Sequence, residues 1–160
     1  MSEKKATSVI LPGSYDPVTV GHLDVIRRAA EEFGEVYVVA FVNPKKNYRF
    51  SVDERVSMLL LATDELENVI VSYSDGLVID YMRDHGIDLI VKGYRTEADL
   101  PWERQQAEWN LKHGGYETVL WECREEFKDV SSTAVRRALD EEKSIVELVP
   151  KAVAEYIKTK

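Results

Sequence analysis

The stretch Pro12 to His22, PGSYDPVTVGH, gathers residue types that suit a phosphate. Gly13 permits close backbone approach, and Ser14 supplies a hydroxyl and an amide. A helix opens at Thr19 or near Gly21, where unpaired N–H groups and the helix dipole favour an anion. His22, in its first turn, points back toward that anion. Lys45, Lys46 and Arg49 form one basic group further along, and Lys92 and Arg95, in VKGYR, form another. Ser131-Ser132-Thr133 puts three hydroxyls and amides at a second helix start.

Each of these signals also has a plainer reading. His22 alone reads as a partly exposed helix residue, as His85 and His113 do, each directly before a glycine. The lysines and Arg95 read as solvated loop charge, and the hydroxyl run as an N-cap cluster. They become a site only if the fold brings them to one place.

The elements that would do so are legible from pattern. Apolar runs at Ser8–Leu11, Val36–Val42, 68–73, 87–93 and 117–122 predict five buried strands. Leu23, Val25, Ile26, Ala29, Ala30 and Phe33 recur at helical spacing, with Gly34 expected to close that helix. Ser51 and Glu54 have capping-box spacing ahead of a helix through Leu61. Further helices are predicted over 77–86, Ala98–His113 and 134–142, and from Val149-Pro150 onward.

Strands alternating with helices, and nearly continuous in apolar residues, predict one domain over residues 1–160. It is a single-domain Rossmann-like α/β fold, a doubly wound parallel five-stranded sheet with helices on both faces. Such sheets bind ligands at the carboxyl ends of their strands. All the residues singled out above fall at that edge.

Composition narrows the function. The net charge of −8, from 29 acidic and 21 basic residues, argues against a sequence-independent nucleic-acid binder. No apolar run approaches the ~20 residues that cross a bilayer, and MSEKKATSVIL is too short in apolar residues for a secretory signal. With Cys123 as the lone cysteine, a reducing cytoplasm is expected. There is no GxGxxG after the first strand and no GxxxxGK[ST], so a dinucleotide dehydrogenase or Walker-type ATPase is not expected. Neither a nucleophile–base pair nor a cage of carboxylate, Cys or His ligands is evident. Phosphoryl or nucleotidyl transfer between two phosphates needs neither, because the attacking group is already an anion.

These motifs resemble those of the phosphopantetheine adenylyltransferases, within the HxGH-type nucleotidyltransferase superfamily. Thr19-Val20-Gly21-His22 takes the place of the (T/H)xGH motif, and PGSYDPVTVGH is similar to the family's PG(S/T)FDPxTxGH loop. NPKKNYRFSVDER, VKGYRTEAD with Glu103 beyond it, and VSSTAVR match its later motifs in order and spacing. The resemblance runs from Ile10 to about Ile157.

It implies transfer of AMP from ATP to 4′-phosphopantetheine, with Mg²⁺ bound through the ATP phosphates and no metal ligand from the chain. His22 would donate to the α-phosphate, while Ser14 and Lys46 orient the attacking phosphate and Lys92 holds it. Tyr15, Gly93, Tyr94, Arg95 and Glu103 would contact ATP. Phe127, Lys128, Asp129 and Val130 would line its adenine and triphosphate side, with Ser131, Ser132 and Thr133 on phosphates. Leu77, Val78 and Asn110 correspond to positions near the pantetheine arm. The resemblance further implies a homohexamer, a dimer of trimers, and coenzyme A as feedback inhibitor, with no nucleic-acid or membrane partner.

The chain departs from the family pattern at Tyr15, a usual Phe, and at Lys92, a frequent Arg. Pro101, Trp102 and Gln106 also differ, next to the acceptor pocket. Two other readings stand beside this one: a related nucleotidyltransferase acting on nicotinamide mononucleotide or glycerol 3-phosphate, and an ATP-binding module without chemistry.

Overall fold

A computed structural model describes residues 5–160. Residues 1–4, the start of the stretch read above for a secretory signal, lie outside the described residues. Five strands, β1 Lys5–Gly13, β2 Phe33–Phe41, β3 Val69–Ser74, β4 Leu89–Tyr94 and β5 Thr118–Glu122, form one sheet. Its order is β3-β2-β1-β4-β5 and every pairing is parallel. The helices are α1 Val20–Glu32, α2 Val52–Ala62, α3 Val78–His85, α4 Leu100–Gly114, α5 Ser132–Asp140 and α6 Lys151–Lys158. The doubly wound architecture expected from the sequence is present.

Alternation along the central strands splits the core in two. Val9 and Leu11 of β1, with Val36, Val38 and Ala40 of β2, face α1, α2, α5 and α6. Ile10, Val39 and Ile90 face the other way, onto Met82 of α3 and Ile87. Both faces of the central strands β1 and β2 are covered, which is why Val9–Leu11 and Val36–Ala40 are apolar in succession.

Two boundaries differ from expectation. Gly34 does not close α1; it is the second residue of β2. The helix ends because Phe33 turns extended, at φ −121° and ψ 157°, and is drawn into register opposite Lys5. β1 also runs past Leu11, because Pro12 and Gly13 still pair with Val39 and Ala40 of β2. The Ser51–Glu54 capping box forms as read, and Gly86 and Gly115 end α3 and α4 in the left-handed conformation.

The chain winds outward from β1 to β3, then crosses back to β4 and β5, so the topological switch falls between β1 and β4. These two strands share register only at Val9–Leu89 and Ile10–Ile90. Beyond that they part, β1 continuing along β2 to Gly13 and β4 along β5 to Tyr94. Among the described residues, no helix is long and apolar enough to cross a membrane.

Candidate active site

The parted ends of β1 and β4 open a crevice, and α1 begins on one side of it. Thr19, 1% exposed, caps that helix, its hydroxyl accepting from His22 N–H at 3.2 Å. In return, His22 Nδ1 accepts the Thr19 backbone N–H at 3.0 Å. A histidine thus does the work usually given to glutamate in a capping box. The exchange also fixes its chemistry. With the Nδ1 lone pair occupied, the neutral ring carries its proton on Nε2. Burial pushes the His22 pKa down to about 4, and the nearby charges of Arg95 and Lys92 act in the same direction. At neutral pH His22 is therefore a fixed hydrogen-bond donor, not a source of protons.

His22 lines a cavity of about 460 Å³. Tyr15, Gly93, Tyr94, Arg95 and Glu103 line the same space, as do Phe127, Val130, Ser131, Ser132 and Thr133. The starts of α1 and α5 both open on it. Part of the hydroxyl run is spent on structure: Ser131 caps α5 by accepting from Ala134 N–H, and Ser132 Oγ donates to the Pro17 carbonyl at 2.7 Å. Lys128 and Asp129, read as nucleotide-side residues, do not line the cavity. Lys128 contributes through its backbone, whose carbonyl accepts from the Arg95 guanidinium at 3.2 Å, while its ammonium pairs with Glu122 at 2.6 Å.

Gly93 has a packing reason. A Cβ there would lie 2.9 Å from Val25 Cγ2, so β4 and α1 approach this closely only across a glycine. Gly21 differs, because a Cβ would meet only ordinary contacts, at 3.5 Å from Thr19 Oγ1 and 3.7 Å from Phe127 Cβ.

A second, larger cavity of about 870 Å³ adjoins the first. Ser14, Lys46, Leu77, Val78, Lys92 and Asn110, all assigned to the acceptor side, line it. The two spaces share Pro12, Gly13, Lys92, Trp102 and Glu103. Lys46 Nζ lies 3.3 Å from Ser14 Oγ. Lys92 Nζ pairs with the Glu103 carboxylate at 3.1 Å, with Gln106 Oε1 at 3.5 Å. The positive end of the crevice is thus anchored by residues from β4, α4 and the loops after β1 and β2.

Residue-by-residue reading missed what holds these loops. Asp16, 3% exposed, accepts from Arg49 N–H and Phe50 N–H, both at 2.9 Å. The Arg136 guanidinium sits 3.9 Å from its carboxylate and donates to its carbonyl at 2.8 Å. Arg55, 1% exposed on α2, donates to the Ser14 carbonyl at 2.9 Å and lies 4.0 Å over the Tyr48 ring. Asp16, Arg55 and Arg136 all stand inside the motifs quoted above, but no role is assigned to any of them there.

Comparison with known proteins adds independent findings. A family model described as cytidylyltransferase-like matches residues 10–138. The phosphopantetheine adenylyltransferase of Thermobifida fusca (strain YX) is 39% identical over 152 residues, covering 95% of this chain and 93% of that protein.

Proposed function

The chain belongs to the cytidylyltransferase-like family and is a nucleotidyltransferase, and on that premise we propose that it transfers AMP from ATP to 4′-phosphopantetheine, giving dephospho-coenzyme A and pyrophosphate. The carrying observation is that two unlike cavities meet at Lys92 and Glu103. One is lined by two helix starts, Arg95 and His22, which suits a nucleotide triphosphate. The other combines Ser14, Lys46 and Lys92 with Phe41, Leu77, Val78 and Trp109, which suits a phosphate on a long, weakly polar arm.

In this reading an oxygen of the acceptor phosphate attacks the α-phosphorus of ATP in line. The new bond is P–O to the acceptor, the broken one joins the α-phosphorus to the oxygen bridging to the β-phosphate, and pyrophosphate leaves with that electron pair. No base is required, since the attacking oxygen is already an anion. What must be overcome is the repulsion of two anions and the entropy of aligning them. Ser14, Lys46 and Lys92 orient the acceptor phosphate. His22 donates from Nε2 to the α-phosphate oxygen where charge accumulates. Arg95 and the α5 start, with Ser131, Ser132 and Thr133, take the remaining phosphates. Tyr15, Gly93, Tyr94, Glu103, Phe127 and Val130 border the nucleotide, and the Lys128 carbonyl holds Arg95 from outside the cavity.

Among the described residues, no group of three or more His, Cys, Asp or Glu is placed to hold a metal. We assign Mg²⁺ to the ATP phosphates, where it would offset their charge. The same reading includes a homohexamer acting in the cytoplasm, and coenzyme A competing for the acceptor cavity through its shared pantetheine arm.

The test is pyrophosphate release from ATP, Mg²⁺ and 4′-phosphopantetheine, with the nucleotide product identified by mass. Dephospho-coenzyme A is expected. Turnover with nicotinamide mononucleotide or glycerol 3-phosphate alone would overturn the choice of acceptor.

A further inference from the structure

The geometry points to Arg55 as a positioning residue for the acceptor phosphate, and to that phosphate as the counter-charge its buried guanidinium otherwise lacks. This rests on the adenylyltransferase reading above. Arginine is a permanent cation, and burying one is costly unless a carboxylate answers it. Arg55 is 1% exposed, yet among the described residues no carboxylate pairs with it. Its partners are the Ser14 carbonyl at 2.9 Å and the face of Tyr48 at 4.0 Å, and its Nε is buried without a partner. A carbonyl and a ring solvate the charge without cancelling it.

Both partners line the acceptor cavity, and they come from different loops. Ser14 follows β1, and the next residue, Tyr15, is left-handed at φ +50°. An aromatic residue held there costs about 1–3 kcal/mol and persists only where neighbours over-determine it. Two bonds do so: Tyr15 OH donates to the Leu11 carbonyl at 2.8 Å, and Arg55 grips the intervening Ser14 carbonyl. Tyr48 belongs to the loop after β2, where its hydroxyl accepts from Asn43 N–H at 2.8 Å, two residues beyond Lys46. One planar guanidinium therefore ties the Ser14 turn by its edge and the Lys46 loop by its face. The 3.3 Å spacing of Lys46 Nζ and Ser14 Oγ is set between those two grips. An acceptor phosphate bound there would meet Lys46 directly and the Arg55 charge from below.

Arg55→Lys keeps the charge and loses the flat, forked geometry; Arg55→Met loses both. Calorimetric titration of each full-length variant with 4′-phosphopantetheine, and separately with ATP, reads the role. The expected result is acceptor affinity weakened by roughly 10- to 100-fold in Arg55→Met, the span of a lost charge-assisted hydrogen bond. Arg55→Lys is expected to show a smaller loss, and ATP affinity to fall several-fold less than acceptor affinity in both. If Arg55→Met does not fold, the selective loss in Arg55→Lys carries the test. A purely structural arginine would weaken both ligands together or neither, and either pattern overturns the inference while wild-type binding of 4′-phosphopantetheine upholds the functional reading. Wild-type protein that binds no 4′-phosphopantetheine overturns that reading, and the inference with it.

Discussion

Thr19 and His22 cap each other: the threonine hydroxyl accepts the histidine N–H at 3.2 Å, and histidine Nδ1 accepts the threonine N–H at 3.0 Å. The same two bonds that begin a helix also choose a tautomer. His22→Ala removes the Nε2 donor and leaves the rest of the nucleotide cavity in place. Turnover should fall by roughly 10²–10³-fold, as for loss of one oxyanion-type donor, with ATP affinity nearly intact. Steady-state kinetics with calorimetric ATP titration checks both halves; activity within a few-fold of wild type would refute the role.

Thr19→Val removes the hydroxyl that caps α1. A loss of about 1 kcal/mol in unfolding free energy is expected in urea denaturation, typical of a deleted cap. The backbone N–H that fixes the tautomer survives this change, so turnover should fall far less than in His22→Ala.

Nitrogen NMR of the free protein should show His22 neutral with its proton on Nε2 from pH 8 down to 5, titrating near pH 4. The folded pKa lies below the unfolded value, so the unfolded chain takes up the proton first as pH falls. His22's contribution to stability is therefore complete above about pH 6.5, shrinks as pH drops toward 4, and rises with pH across that window. A midpoint near 6.5 would show that the ring is not buried beside Arg95 and Lys92.

Asp16→Asn places an NH₂ group where two amide donors, Arg49 N–H and Phe50 N–H, now find carboxylate oxygens. One amide loses its acceptor, and Arg136 loses its opposing charge. Destabilisation of about 2–3 kcal/mol is expected, the range for an orphaned buried donor beside a charge. Wild-type stability by urea denaturation would count against the buried network.

The two glycines of the nucleotide cavity should separate fold from ligand. Gly93→Ala drives a Cβ to 2.9 Å from Val25 and should cost about 1–3 kcal/mol of stability, as overpacking does. Gly21→Ala meets only ordinary contacts, so it should melt like wild type and show its effect in ATP affinity. Paired thermal melts and ATP titrations of both variants decide the matter.

Most of the fold was legible because it is local. The β-branched runs, the Ser51–Glu54 box and the glycines at 86 and 115 act through neighbours a few residues away, and all behave as read. Gly34 misled for the opposite reason, since tertiary pairing of Phe33 with Lys5 ends α1 before any C-cap is needed. The wall residues could be placed because each follows the carboxyl end of a strand in a parallel sheet, and they do converge there. Asp16, Arg55 and Arg136 could not. The loop groups they hold lie 33 to 120 residues away, and no periodicity distinguishes a buried helical arginine from a solvated one. Lys128 shows the subtler limit: it does not line the cavity, and its backbone carbonyl holds Arg95, a contact that a side-chain alphabet does not record.

The early parting of β1 and β4 makes the cleft a fault in the sheet's own weave. Inner strands ordinarily consume their peptide groups on both flanks. Past Ile10 and Ile90 no residues of the two strands are in register, and the Leu11 carbonyl accepts from the Tyr15 hydroxyl instead. Where the strands have parted, Pro12 and Gly13 on one side and Lys92 and Gly93 on the other wall the cavity instead of pairing with one another. The site therefore needs neither a lid nor a second lobe to exist, because the interrupted fabric is itself the mould.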